Sequence, residues 1–228
     1  MEKFVYMIGP SEQVSLDDLT QTLLSTTAPK LREMGASKIT INIADMNEVL
    51  QAEAPGRLIG CWQDVQAVVS FWHDCLDHRA PIETYLASLA GQLTGYLVTE
   101  SVLQTFDPVW EGGERRPGVT QFGANAKPAS VSDEDFYHNW QVDHSSLSFD
   151  LHPLRWSYVR DAVARPLTKN APPYRAIVAE HFKQLEDFTD DSRYFGSAEV
   201  VQAMIAEIPG FCDVNAMFSV PMSEYFFK

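Results

Sequence analysis

Hydrophobic and polar positions along the chain fall into two series of elements in the same order. In the first series, residues 3–9 suit a strand, and residues 16–34 carry apolar side chains at helical spacing, opened by Ser15 and stopped by Gly35. Residues 38–44 place Ile39, Ile41 and Ile43 on one side, the alternation of a half-buried strand. Residues 58–72, rich in Val, Trp and Phe, predict a further strand, followed by a helix over 81–92 and a strand over 94–105. The second series repeats this order. Strands are predicted over 119–126, 155–163, 174–182 and 214–220, with helices over 133 to about 144 and over 199–208. Between the series, residues 107–117 hold prolines, glycines and a charge cluster, the composition of a linker.

Two βαββαβ series predict an α+β chain of tandem ferredoxin-like repeats, residues 1–106 and 118–228. Each sheet would carry helices on one face and need cover on the other. Packing the two open faces together gives one intrachain barrel of the dimeric α+β type, with interior space suited to a ligand.

The most informative stretch is Ser132-Asp-Glu-Asp-Phe-Tyr-His-Asn-Trp-Gln-Val-Asp-His144. Phe136, Trp140 and His144 are spaced four apart, so a helix puts two large aromatics and one ionisable ring on a single inward face. Ser132 with Asp135 three residues on resembles a capping box at the start of that helix. His144 could serve as general base or acid. It could equally cap the helix C-terminus and act on stability alone.

These residues resemble the EthD-like branch of the dimeric α+β barrel superfamily. The likeness is carried by Phe136, Trp140 and His144, and by Glu180-His-Phe-Lys-Gln-Leu-Glu-Asp-Phe188, which looks like a third strand running into a helix. It holds over residue 118 to about 220 and is weak before that. Aligning Leu19 with Phe136 and Leu23 with Trp140 sets Thr27 opposite His144, so the first half is expected to keep the scaffold without the chemistry. The resemblance also implies that two halves usually supplied by two chains are fused here.

Composition narrows the function further. Seventeen basic against thirty-one acidic residues, a net charge of -14, disfavour nucleic acid and anionic membrane as partners. No apolar run is long enough to span a bilayer, and the N-terminus lacks the features of a signal peptide, so a cytoplasmic protein starting at Met1 is expected. Cys61, Cys75 and Cys212 show no CxxC spacing and are expected to be thiols. The segment from His73 to His78 is dense in metal-ligand types, but it reads as a polar loop, and no metal is expected. Gly-rich phosphate loops, dinucleotide fingerprints, nucleophile elbows and HExxH motifs are absent from the sequence.

The chemistry-bearing positions are therefore His144, Tyr158 and His181 as catalytic candidates, and Tyr137, Trp140, Arg155 and Trp156 as substrate contacts. Alternation puts Glu180 and His181 on opposite faces of one strand, so only one of them can see a given cavity. An arginine of the strand from residue 155 could pair with a substrate carboxylate. The function expected from this set is a lyase needing no cofactor, a decarboxylase or dehydratase of an aromatic, phenolic or polyketide-like acid. The alternatives are an aromatic-substrate monooxygenase, cofactor-free or haem-dependent, and a binding protein for an apolar small molecule. A homodimer through the outer helices or sheet edges is compatible with a fused barrel.

Overall fold

In the computed structural model, residues 1–105 and 111–227 are described; of the expected linker, residues 107–110 lie outside them. The chain runs β1 (Glu2–Ile8), α1 (Leu16–Thr22), α2 (Ala28–Glu33), β2 (Ser37–Ile43), α3 (Asn47–Glu53), β3 (Ile59–Gly60), β4 (Ala67–His73), α4 (Ala80–Ala87) and β5 (Leu93–Gln104). It continues with β6 (Val119–Ala126), α5 (Asp133–His138), α6 (Ser145–Leu151), β7 (Arg155–Pro166), β8 (Tyr174–Phe182), α7 (Leu185–Thr189), α8 (Asp191–Tyr194), α9 (Ala198–Glu207) and β9 (Met217–Phe227).

All strand pairs are antiparallel, in the order β2-β4-β1-β5-β7-β8-β6-β9-β3, and a further pairing of β2 with β9 closes eight strands into a barrel. Closure leaves no open edge on those eight. β3 is a two-residue addition to β9. Before the linker the order is β5-β1-β4-β2, and after it β9-β6-β8-β7.

Several sequence expectations need correction, among them the helix expected over 81–92, which ends at Ala87. The apolar run over 58–72 is not one strand: it holds the two-residue β3 and, from Ala67, β4, separated by Gly60 at φ +63 and the turn at Trp62–Asp64. The segment before it holds α3, which the pattern does not announce. The last strand starts at Met217 rather than 214, because Asp213 closes a turn, accepting from the Asn215 amide at 3.0 Å. That strand also contains Pro221, which falls where the second neighbour of β9 changes from β3 at Ser219 to β2 at Ser223. A residue without an N–H is tolerated in such a gap.

Side chains alternate between two environments. Val5, Val68, Phe122, Ile177 and Val220 fill the barrel interior. Phe4, Leu23, Leu31, Ile41 and Phe71 bury the first half's helices against the outer face of the sheet. On the second half, Phe136, Trp140 and Ala176 do the same, and burying each large ring contributes about 1.5–3 kcal/mol. Among the described residues, no helix is long and apolar enough to cross a membrane, and no cluster of three or more His, Cys, Asp or Glu side chains could hold a metal.

Candidate active site

The first helices of the two halves are built alike. Ser15 and Ser132 are N-caps, each accepting from the amide three residues on and donating to the carboxylate of Asp18 or Asp135. Each helix then widens into a π segment, Leu23–Thr27 in one and Asn139–His144 in the other, before resuming as α2 or α6. Such segments often mark functional sites. Because α6 continues to Leu151, His144 stands inside a helix and does not cap a C-terminus.

His144 reaches across to α9. Its Nδ1 lies 2.7 Å from Oε1 of Glu207, and its ring packs 4.4 Å from that of Phe211. A carboxylate accepts, so Nδ1 carries the proton and Nε2 is left as the lone-pair nitrogen. No hydrogen bond reaches Nε2 among the described residues. His152, just past α6, is fixed the same way: Nδ1–H donates to the Tyr194 carbonyl at 3.0 Å. Burial lowers the pKa of His152, opposed by the nearby Glu180 carboxylate, and keeps the ring neutral.

Both rings line a pocket of about 270 Å³ between the outer face of the sheet and the second half's helices. Gln121 and Glu180 on β6 and β8 supply its polar floor, and Phe195, Met204, Phe211 and Met217 supply apolar walls. Burial pushes the Glu180 carboxyl up, but the Arg155 guanidinium beside it more than offsets this and holds it below the usual carboxylate range. Arg155 is fully occupied by this pairing, by Ser148 and by the ring of Tyr158, 3.9 Å beneath it. Arg155, expected as a substrate contact, does not line this pocket.

In the first half the corresponding place is filled, and the register shows how. The third residue of β1, Phe4, faces Phe71 on β4; the third residue of β6, Gln121, faces Glu180 on β8. Phe4 and Phe71 stack at 5.4 Å, filling with aromatic rings the place where the second half keeps a polar pair. Thr27, opposite His144 in the alignment, is fully buried and hydrogen bonds with the Tyr85 hydroxyl at 3.0 Å.

Of the residues singled out from sequence, His144 alone lines this pocket. Trp140 is buried beneath it, with Arg160 over its ring, and Tyr137 packs edge-on against Phe136. Tyr158 is buried, and desolvation, aided by Glu180, pushes its hydroxyl up to about 12. His181 faces the barrel interior, on the other side of the sheet. There it lines a separate polar cavity of about 120 Å³ with Lys3, Asn42, Glu100, Asp161 and Glu224. Its Nε2–H donates to the Pro117 carbonyl at 2.7 Å, and Nδ1 lies 2.8 Å from the Thr120 hydroxyl. Trp156 stands on that same side, 5.9 Å from the His181 ring, because a bulge at this point of β7 breaks the alternation. No sequence pattern singles out Glu207, His152 or Tyr194. They lie in segments whose proximity to His144 only the folded chain creates.

No protein-family model matches the chain, and no curated protein is similar to it. Solved structures share its fold. An anthrone oxidase-like protein superposes with a TM-score of 0.55 at 9% identity, over 99% of this chain and 92% of its own. A monooxygenase candidate from Lactobacillus acidophilus NCFM gives 0.53 at 9% identity, over 100% and 95%. Another, from Fusobacterium nucleatum subsp. nucleatum, gives 0.53 at 8%, over 100% and 92%. The chain is thus a mixed α+β protein with a closed antiparallel eight-strand barrel of the dimeric α+β type.

Proposed function

We propose that this chain is an oxygenase of a planar, hydroxylated aromatic substrate that needs no bound cofactor, with His144 as the base. The observation that carries the proposal is the His144–Glu207 pair, which leaves Nε2 as the lone-pair nitrogen of a ring lining a largely apolar pocket whose Glu180 is already paired with Arg155. A site of that kind favours an uncharged ligand, acidic at a ring hydroxyl or activated C–H and carrying no carboxylate. The names of the proteins that share the fold, monooxygenase candidates and an anthrone oxidase-like protein, support oxidation over the lyase reaction expected from sequence.

In this mechanism Nε2 of His144 takes a proton from an activated CH2 of the substrate, and Glu207 stabilises the imidazolium formed. The delocalised carbanion passes one electron to O2, and recombination of the two radicals forms a carbon–peroxide bond. Loss of the second C–H proton with cleavage of the O–O bond leaves a carbonyl and releases water. One oxygen atom enters the product and the other becomes water, so the substrate supplies all four electrons. His152, held neutral with its Nε2 lone pair, accepts a hydrogen bond from a substrate hydroxyl.

The same reading takes the chain as two fused ferredoxin-like repeats, 1–106 and 118–228, with the active pocket in the second. The matched strand orders and the paired Ser-capped, π-interrupted helices support that division. The Phe136, Trp140 and His144 stripe supports the EthD-like branch. Oxygen uptake with anthrone tests the function: one O2 consumed per anthrone, and none above background with His144→Ala, is the expected result. Turnover of a phenolic acid with CO2 release and no oxygen uptake would return the protein to the lyases.

A further inference from the structure

The connection between β2 and β4 reaches into the other half. It spans residues 44–66, whereas its counterpart between β7 and β8 spans only 167–173. Leu50 and Ala54 of this connection bury against Val119, Phe182, Phe188 and Tyr194. Arg57, 7% exposed, lays its guanidinium 3.7 Å over the ring of Tyr194. Its Nε donates to the Phe188 carbonyl at 2.9 Å, and its Nη2 pairs with Asp191 at 2.7 Å. Tyr194 in turn donates its hydroxyl proton to Gln121 on the pocket floor. Gly56, Arg57 and Ile59 thereby become one wall of the pocket that holds His144.

We propose that Arg57 is a positioning residue of the second half's site: it clamps a segment of the first half across the pocket, so that both halves set the width of the aromatic molecule admitted. The inference rests on that pocket being where a planar aromatic binds. Arg57 brings no net charge to the ligand, since Asp191 neutralises it. Its contribution is geometric, and it depends on a planar group that stacks and donates at once. Lysine has one ammonium on a flexible stem and can do only one of these. Besides the clamp, the segment is held to β9 through the two residues of β3 and to the second half by Leu50 and Ala54.

The test compares wild type with Arg57→Met and Arg57→Lys. Quenching of tryptophan fluorescence gives the affinities for two hydroxylated ketones, three-ring 2-hydroxyanthraquinone and single-ring 4-hydroxyacetophenone, and hydrogen exchange follows residues 55–60. Both variants are expected to exchange faster over 55–60, with β6 and β8 still protected, and to change the ratio of the two affinities at least about five-fold. An unchanged ratio, or undisturbed protection of 55–60, overturns the clamp alone. Failure of the wild type to bind either ketone overturns the clamp and the pocket reading together. If neither Arg57 variant folds, Asp191→Asn, which alters an exposed side chain, must shift both readouts in the same direction, or the proposal falls.

Discussion

Nδ1 of His144 and Oε1 of Glu207 meet at 2.7 Å across the gap between the π segment and α9. The contact fixes which nitrogen carries the proton and which is left to act. Replacing His144 with alanine is expected to lower kcat by at least about 100-fold, the scale of general acid–base catalysis. Glu207→Gln keeps an acceptor but not the charge, so a loss of about 10-fold is expected, with Glu207→Ala worse. Steady-state kinetics on the three variants check this order. Equal losses for both Glu207 variants would mean that the charge, and not the orientation, matters.

Arg155 and Glu180 form a buried ion pair at the edge of the pocket floor. Arg155→Met leaves the Glu180 carboxylate buried without its cation and is expected to cost about 3–5 kcal/mol. The double variant Arg155→Met with Glu180→Gln should recover part of that, because no unpaired charge remains. Urea midpoints of the two single variants and the double variant measure the coupling.

Acid stability is governed in part by His181. Burial, with Arg116 nearby, lowers its pKa from 6.5 to about 4. Between those values the unfolded chain takes up a proton that the folded chain refuses, so stability falls as pH drops through this window. The full loss is on the order of 3 kcal/mol. Glu224, whose carboxyl burial pushes up but Arg116 and His181 hold below the usual range, adds its own loss only at lower pH. His181→Gln is therefore expected to be less stable than wild type at pH 7 but to lose less between pH 7 and 4.5. Urea titrations at the two pH values show it.

Gly60 sits at φ +63, and a Cβ there would lie 1.9 Å from the Met217 carbonyl oxygen. Gly60→Ala should detach β3 from β9 and cost at least about 1 kcal/mol. Faster hydrogen exchange at residues 59–60, with the barrel strands unchanged, is the expected signature.

Much of this arrangement was legible in the sequence, because its signals are local. The limits of β6 and β8 match their predicted ranges, since alternation and flanking turns fix a strand from its own residues. The helix stripe through Phe136 and Trp140 is buried as spacing predicts. What the sequence hid is set by contacts between distant segments. Glu207 is an ordinary helix-end carboxylate until α9 packs beside the π segment. Arg57 lies in a turn with no pattern, and its role appears only where it meets Tyr194. Trp156 changes sides through a bulge that strict alternation cannot foresee. Alternation sets His181 opposite Glu180, but which of the two faces the helix-side pocket depends on how the sheet closes.

Turnover of anthrone under 18O2, followed by mass spectrometry, tests the central claim most directly. The account predicts one labelled oxygen in the product carbonyl, the other in water, and labelled product formed by His144→Ala at no more than about one hundredth of the wild-type rate above the uncatalysed background. Product formed without the label, or at the same rate without oxygen, would contradict it.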